Sequence, residues 1–568
     1  MGRDGGTVAK WRSRRDLQEL HGPMARPFTF ADTIEVVADA VPDNMALITD
    51  RRRITYRELD DRATQLAHAL QARGVGAGDH IGLYLHNGTE YVEAMLAAWK
   101  IRAVPVNVNY RYVEDELVYL FDDADLVAVV HNREFAPTID AVTHRVPGVK
   151  SFLYVEDGTD VDVSGLDTPE HPVAEYEAAL AEQSTVRDFP ERSGDDLYVL
   201  YTGGTTGMPK GVMWRQEDIF FAAMDGSAMG IVDKPETPED LADRVKNAGG
   251  TLTMATAAPL MHGAAQWVTF ICLHSGSAMV LPSTRKFDPA AIWRAVCDEK
   301  VMTMTVVGDA MARPLVEELV AHRDDYDLSN FFALGSGGAI LSAGVKQQLL
   351  EVLPSLVISD AFGASETGAQ GSAVGASAEG HPQFAVTANT NVLDEHLEPV
   401  APGSGVKGLL ARTGHIPLGY YKAEAKTAET FKVDKNGVRW VLPGDWATVE
   451  ENGTITLFGR GSVSINSGGE KIFPEEVEAA LKSHPEVFDA VVVGMPDERF
   501  GERVTAVVAP RPGTTPTLAD LAEHCRIKVA GYKVPRELHL VETITRSPSG
   551  KADYRWAKQA AQETPVAE

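Results

Sequence analysis

The chain has 568 residues, 44% of them hydrophobic and 24% charged. At roughly 100–200 residues per domain this predicts several domains and excludes wholesale disorder. Its 81 acidic residues against 53 basic ones give a formal net charge of −28, which repels phosphate backbones and anionic lipid and excludes a general nucleic-acid or polybasic membrane role. Three scattered cysteines (Cys272, Cys297, Cys525) make no CxxC pair, which argues against a thiolate zinc site and suits a reducing cytoplasm.

Residues 1–26 carry Arg3, Lys10, Arg12, Arg14, Arg15 and Arg26 with no apolar stretch behind them, so they read as a flexible leader. No run of 18 apolar residues follows, and no integral membrane segment is expected. Residues 56–73 put Leu59, Ala63, Leu66, Ala67 and Leu70 on one helical face. Residues 80–85 read as a strand, 91–101 as a helix, and 103–108 and 126–131 as β-branched strands. Such alternation predicts an α/β fold with largely parallel sheets. Residues 157–167 and 232–243 are acidic and broken by Gly or Pro, and read as loops.

The most informative segment is Thr202-Gly203-Gly204-Thr205-Thr206-Gly207-Met208-Pro209-Lys210-Gly211, which follows a plausible strand at 197–201. Its glycines allow backbone N–H groups to converge on phosphate oxygens. Thr202, Thr205 and Thr206 add hydroxyls, and Lys210 adds a charge suited to a triphosphate. A Walker A loop needs Gly-Lys-[Ser/Thr], and here Pro209 precedes the lysine and Gly211 follows it, so the P-loop reading fails.

Near Gly459 the texture changes. Short strands at 439–441, 447–450 and 454–458, with an Asn452-Gly453 turn, give way to a helix at 474–484. Strands at 488–493, 503–509 and 537–541 and a helix at 518–529 then make an α+β unit after Arg460.

The Thr/Gly/Lys loop resembles the core motif of the adenylate-forming superfamily, which comprises acyl-CoA synthetases, luciferases and peptide-synthetase adenylation domains; Gly204 stands where that family usually has Ser. Further segments resemble its other motifs in order. Pro259-Leu260-Met261-His262-Gly263 is similar to the stretch whose histidine closes the acyl pocket, with Gly337 on the same pocket. The 335–342 segment, with Gly338 and Ala339, resembles the run beside adenine. Phe362-Gly363-Ala364-Ser365-Glu366 resembles the aromatic-Gly-x-[Ser/Thr]-Glu motif, just after Asp360. The resemblance implies that Phe362 stacks on adenine, Gly363 and Asp360 line the nucleotide, Ser365 meets the α-phosphate, and Glu366 with Thr206 holds Mg²⁺. It makes Asp445 the ribose ligand, Arg460 the junction arginine and Ser462 the hinge. Ser467-Gly468-Gly469 resembles the coenzyme A loop, and Lys551 in Ser547-Pro548-Ser549-Gly550-Lys551 the second catalytic lysine beside Lys210 and Glu366. The family commonly has Asp or Lys at the position of Ser462, and often Lys at that of Asn466.

The resemblance implies residues 27–460 as a large N-terminal domain of layered sheets, helices and a distorted β-barrel. Residues 461–568 become a small mobile C-terminal α+β domain. The implied activity is ATP-dependent acid–CoA ligation through acyl-AMP, with ATP, Mg²⁺ and coenzyme A. Stretches such as Tyr110-Arg111-Tyr112, Trp214-Arg215, Gly308-Asp309-Ala310 and Ser462–Asn466 are similar to actinobacterial ligases of steroid side-chain carboxylates. Medium- or long-chain fatty acids, or transfer to a carrier protein, are the alternatives. The small residues after His262 are expected to leave room for a bulky acid. No nucleic-acid partner is expected, the location is cytoplasmic, and a homo-oligomer stays open.

Overall fold

The computed structural model describes residues 26–169, 171–202, 208–226, 234–248, 252–282, 285–339, 341–376, 382–467, 470–497, 501–546 and 551–567. The helix expected at 56–73 is Tyr56–Ala72, opened by Thr55, whose hydroxyl accepts from Glu58 N while the Glu58 carboxylate accepts from Thr55 N. Its anticipated apolar stripe is buried.

Two sheets organise most of the chain. In the larger, the strands Met45–Ile48, Ala278–Val280, Thr253–Thr256, Thr303–Val306, Ala333–Gly337 and Val357–Ala364 are successive parallel neighbours. Antiparallel strands from Gly368–Ala376 onward continue the same sheet as far as Ile455–Arg460 and Arg439–Val441, so the strands expected as a barrel hydrogen-bond onto it. In the second, Leu197–Thr202, Val104–Asn107, His80–Tyr84, Leu126–Asn132 and Ser151–Val155 are parallel neighbours in that order. Val104–Asn107 and His80–Tyr84 are buried along their whole length, as expected of central strands covered on both faces. Carboxyl ends of parallel strands are where α/β proteins place ligands.

One expectation fails locally. Residues 232–243 read as a loop, yet Pro238–Asn247 is a helix. Thr237 caps it, Pro238 occupies its first turn, and Asp240 Oδ2 accepts from Thr237 N at 2.8 Å. Buried Leu241 and Val245, four apart, seat it, so the acidic face is merely its wet side.

After Arg460 a separate five-stranded sheet begins at Ile465–Ser467. Its centre is the antiparallel pair Val487–Asp497 and Gly501–Pro510, longer than the sequence suggests. Ala490 and Val492 face the helices Pro474–Lys482 and Leu518–Arg526, while Val491 and Val493 face Tyr554–Glu563. Among the described residues no helix is long and apolar enough to cross a membrane.

Candidate active site

The strands Leu197–Thr202 and Lys210–Arg215 form an antiparallel hairpin whose last pair is Thr202 opposite Lys210. Gly203, Gly204, Thr205, Thr206 and Gly207 lie outside the described residues, but both posts that carry them are fixed. A side chain at Gly211 would stand 2.7 Å from the Tyr201 ring, so this glycine serves close approach across the hairpin. Tyr201 donates its hydroxyl to Asp123 at 2.7 Å, and Tyr119 donates to Pro209 O at 3.0 Å at the return of the loop.

A residue that sequence reasoning passed over ties this hairpin to the His262 segment. Buried Asn107, at the carboxyl end of its strand, accepts from Tyr201 N at 2.8 Å. Its amide donates to Tyr201 O at 2.8 Å and to Met261 O at 2.7 Å. The signal was available: an amide closing a β-branched run must find partners once buried. Asn87 does similar work, donating to Ala258 O at 3.2 Å and accepting from Leu260 N at 2.7 Å. His262 follows as the cap residue of the helix Gly263–His274. The room expected beside it is partly taken: a Cβ at Gly263 would lie 2.5 Å from Leu200 Cδ2, and Ala265 is buried in the core. Gly263 lets the start of the helix lie close to Leu200 of the hairpin strand.

Val357–Ala364 runs parallel to Ala333–Gly337, with Gly337 opposite Ala361, and carries Asp360, Phe362 and Gly363. Gly338 follows in the left-handed region at φ +82°, and Ala339 packs half-buried on the core. The Phe362 ring lies 4.5 Å from that of Phe384. Asp360 is ion-paired with Lys346; burial pushes its carboxyl up, and Lys346 only partly offsets that. The turn 364–367 is closed by Thr367 Oγ1, which accepts from Ala364 N at 2.9 Å.

Two hydrogen bonds bring the hairpin and this turn together. Trp214 on the Lys210 strand donates its indole N–H to Ser365 O at 2.9 Å. Tyr420, paired with Val212 of the same strand, donates its hydroxyl to Glu366 Oε1 at 2.9 Å. Lys210 and Glu366 therefore belong to one hydrogen-bonded assembly. Glu366 is a single hard carboxylate, and among the described residues no cluster of three or more His, Cys, Asp or Glu could hold a metal. That donor set fits Mg²⁺, which takes few protein oxygens and completes its shell with water and phosphate.

Asp445 and Arg460 are register partners in the antiparallel strands Asp445–Val449 and Ile455–Arg460. Ser462 follows in the single turn Gly461–Val463. Ser467 is buried opposite Gly501, and Gly468 and Gly469 lie outside the described residues. Lys551 is exposed, and the isolated bridge between Arg546 and Ala552 brackets its loop.

The sequence pattern of AMP-binding enzymes matches residues 34–421, and that of their C-terminal domain matches residues 476–551. The chain is 49% identical over 544 residues to a Mycolicibacterium smegmatis protein named medium/long-chain-fatty-acid–CoA/3-oxocholest-4-en-26-oate–CoA ligase, covering 95% of this chain and 97% of that protein. It is also 49% identical over 536 residues to a Rhodococcus rhodochrous 3-oxocholest-4-en-26-oate–CoA ligase, covering 93% and 95%. Among solved structures, the anthranilate CoA ligase AuaEII in complex with anthranoyl-AMP superposes with a TM-score of 0.80 at 21% identity, covering 95% of this chain and 98% of that one. ATP-bound MatB from Rhodopseudomonas palustris gives 0.75 at 23% identity, covering 94% and 99%. Those two likenesses establish the fold. The sequence matches, running through both units in order, go further: the chain belongs to the AMP-binding enzyme family and is an AMP-forming acyl-CoA synthetase.

Proposed function

We propose that this enzyme activates a steroid side-chain carboxylate, of the kind the Rhodococcus and Mycolicibacterium relatives are named for, to its coenzyme A thioester in the cytoplasm. The observation that carries the reading is the pair of bonds Trp214–Ser365 and Tyr420–Glu366, which puts a lysine and a hard carboxylate on one small assembly. A carboxylate is a poor acylating agent because its leaving group would be oxide. Attack of its oxygen on the α-phosphorus of ATP breaks the bond to the bridging oxygen, releases pyrophosphate and leaves acyl-AMP. The thiol of coenzyme A then adds to the acyl carbon, AMP departs with the C–O bonding pair, and the thiol proton goes to solvent.

Both reactants of the first step are anions, so catalysis is the placement of positive charge where negative charge develops. Lys210 holds the outer phosphates, and Lys551 approaches the α-phosphate. Glu366 and the Thr206 hydroxyl would hold Mg²⁺, which when bound neutralises phosphate charge. The Thr/Gly loop from Thr202 to Gly207 is the phosphate-binding segment in this reading. Phe362, Gly363, Gly338, Ala339 and Asp360 line the base, and Asp445 and Arg460 hold the ribose. His262 and Gly337 bound the acyl end. Rotation about Ser462 then withdraws Lys551 and brings Ser467, Gly468 and Gly469 to the thiol. A rigid ring system loses few rotors on binding, so its apolar area converts efficiently into affinity.

The relatives' names also carry medium- and long-chain fatty acids, which makes these the second reading. Purified enzyme given ATP, Mg²⁺ and coenzyme A should form thioester from 3-oxocholest-4-en-26-oate with higher kcat/KM than from palmitate. The reverse order would overturn the steroid assignment and leave the fatty acids. Lys551→Ala should lose acid-dependent pyrophosphate release by roughly 10²–10³-fold yet still convert supplied acyl-AMP to thioester. Equal loss of both half-reactions would refute the lysine's separate role.

A further inference from the structure

The helix Gly308–His322 follows the central strand Thr303–Val306 and carries a stripe that the chemistry above does not use. Asp309, Arg313 and Glu317 stand at i, i+4 and i+8, one above the other on a single face. The stripe is charged −, +, −, and its first two members pair at 3.3 Å while nearly buried. Such a stripe needs something opposite it, and what lies opposite is the small C-terminal unit.

Two contacts reach across. Arg511 Nη1 stands 3.7 Å from Glu317 Oε1. The Arg313 guanidinium carbon lies 5.6 Å from the centroid of the Phe488 ring. Phe488 and Arg511 come from one end of the strand pair Val487–Asp497 and Gly501–Pro510, so the docking face on the small unit is one rigid corner. Arg546 is not a loose side chain. Asp489, next to Phe488, grips it as a fork, Oδ2 accepting from Nε at 2.8 Å and Oδ1 from Nη2 at 2.6 Å.

Both sides of this contact connect to reacting groups. Asp309 Oδ1 accepts from Ser342 N at 2.8 Å, which ties the stripe to the end of the 335–342 segment. Arg546 pairs with Ala552 in the bridge that brackets the Lys551 loop. The stripe is thus tied to the segment read as lying along the nucleotide, and Asp489, beside the Phe488 that meets the stripe, holds the anchor of the lysine loop.

We propose that the Asp309–Arg313–Glu317 stripe is the docking station that holds the C-terminal unit in its acid-activating arrangement, with Arg511 and Phe488 as its opposing groups on that unit. These are positioning residues for the first half-reaction, and the assignment rests on reading Lys551 as the lysine of that step. When the unit turns for thioester formation, the stripe is released, so its strength sets the balance between the two arrangements.

The test measures the half-reactions separately on the full-length enzyme: acid-dependent pyrophosphate release, and thioester formation from supplied acyl-AMP and coenzyme A. Glu317→Arg, at a half-exposed site away from the nucleotide segment, should slow the first by about two- to fivefold and leave the second unchanged or faster. Adding Arg511→Glu should restore the first, because the swapped pair attracts again. Asp309→Asn should slow the first by roughly tenfold or more, since it strips charge from a nearly buried cluster. No effect of Glu317→Arg, an equal loss in both half-reactions, or failure of the swap to restore the first would overturn the proposal. Lys551→Ala separates the two ideas. If it spares pyrophosphate release, the lysine assignment fails; if it abolishes release while Glu317→Arg changes nothing, only the docking station fails.

Discussion

Asn107 shows how much one side chain can hold. Its amide satisfies Tyr201 N and O and Met261 O, so it fixes the phosphate hairpin and the approach to His262 together. Asn107→Leu, of similar volume, would leave a buried donor and two acceptors unmet, at about 1–3 kcal/mol for each group. The expected outcome is a lower Tm and an acid-activation rate reduced about 10²-fold, because a displacement of about 1 Å suffices for that. Wild-type pyrophosphate release from this variant would contradict the positioning role. Tyr420 acts on Glu366 through one hydroxyl at 2.9 Å. Tyr420→Phe keeps the ring in the core and removes only that bond, so it should raise the Mg²⁺ concentration for half-maximal rate severalfold while changing Tm little. An unchanged Mg²⁺ requirement would show that Glu366 needs no such orientation.

At the scale of elements, the helix Gly263–His274 and the strand Leu197–Thr202 approach so closely that a Cβ at Gly263 would stand 2.5 Å from Leu200 Cδ2, so the Leu200 side chain would have to shift to admit it. Gly263→Ala should therefore destabilise the protein by about 1–3 kcal/mol through overpacking. The urea midpoint would report this, and a neutral result would mean that Leu200 repacks freely. The same contact gives the small residues after His262 a packing role beside the one expected of them. From sequence, Gly263 and Ala265 could equally open a pocket or allow close packing, and only the neighbouring strand decides between them. The helix Pro238–Asn247 is the reverse case, since its start signal Thr237-Pro238-Glu239-Asp240 is local and was overlooked among acidic residues. The hairpin turn at Asn452-Gly453 needed no tertiary help, because two flanking strands and a left-handed glycine suffice.

For the whole molecule, buried ionisable groups set the response to acid. Burial lowers His131 to about 4 and His274 to about 3, from an ordinary value of 6.5, because the charged ring is disfavoured in the core. Both contribute stability that is fully present above pH 6.5 and lost as the pH falls toward those lower values. Burial alone would raise Glu35, but Lys100 and Arg192 beside it bring it down to about 2 from 4.5. Its contribution is present above pH 4.5 and lost as the pH falls toward 2. Unfolding near pH 5 should thus take up about two protons at the two histidines, and the urea midpoint should fall steadily from pH 7 to pH 4. A midpoint that rises over that range would contradict this. Glu35 belongs to a network in which Lys100 also meets Asp60, and Arg192 also meets Asp32. None of this was legible in the sequence, where these residues sit up to 160 positions apart.

What the sequence determined by itself was local and periodic. The Thr/Gly/Lys loop, the Phe362–Glu366 motif, the helix stripes and the change of texture after Arg460 are written in neighbouring residues, where backbone preference and spacing act over a few positions. Family membership was legible for the same reason, since each motif is a short string. What only the tertiary structure decided was which strings meet. Trp214 reaches Ser365, Tyr420 reaches Glu366, Asn107 joins two loops, and a helical stripe finds Phe488 and Arg511. A hydrogen bond or an ion pair depends on distances of about 3 Å, and distance between remote residues is set by how sheets and helices stack, which no local pattern encodes.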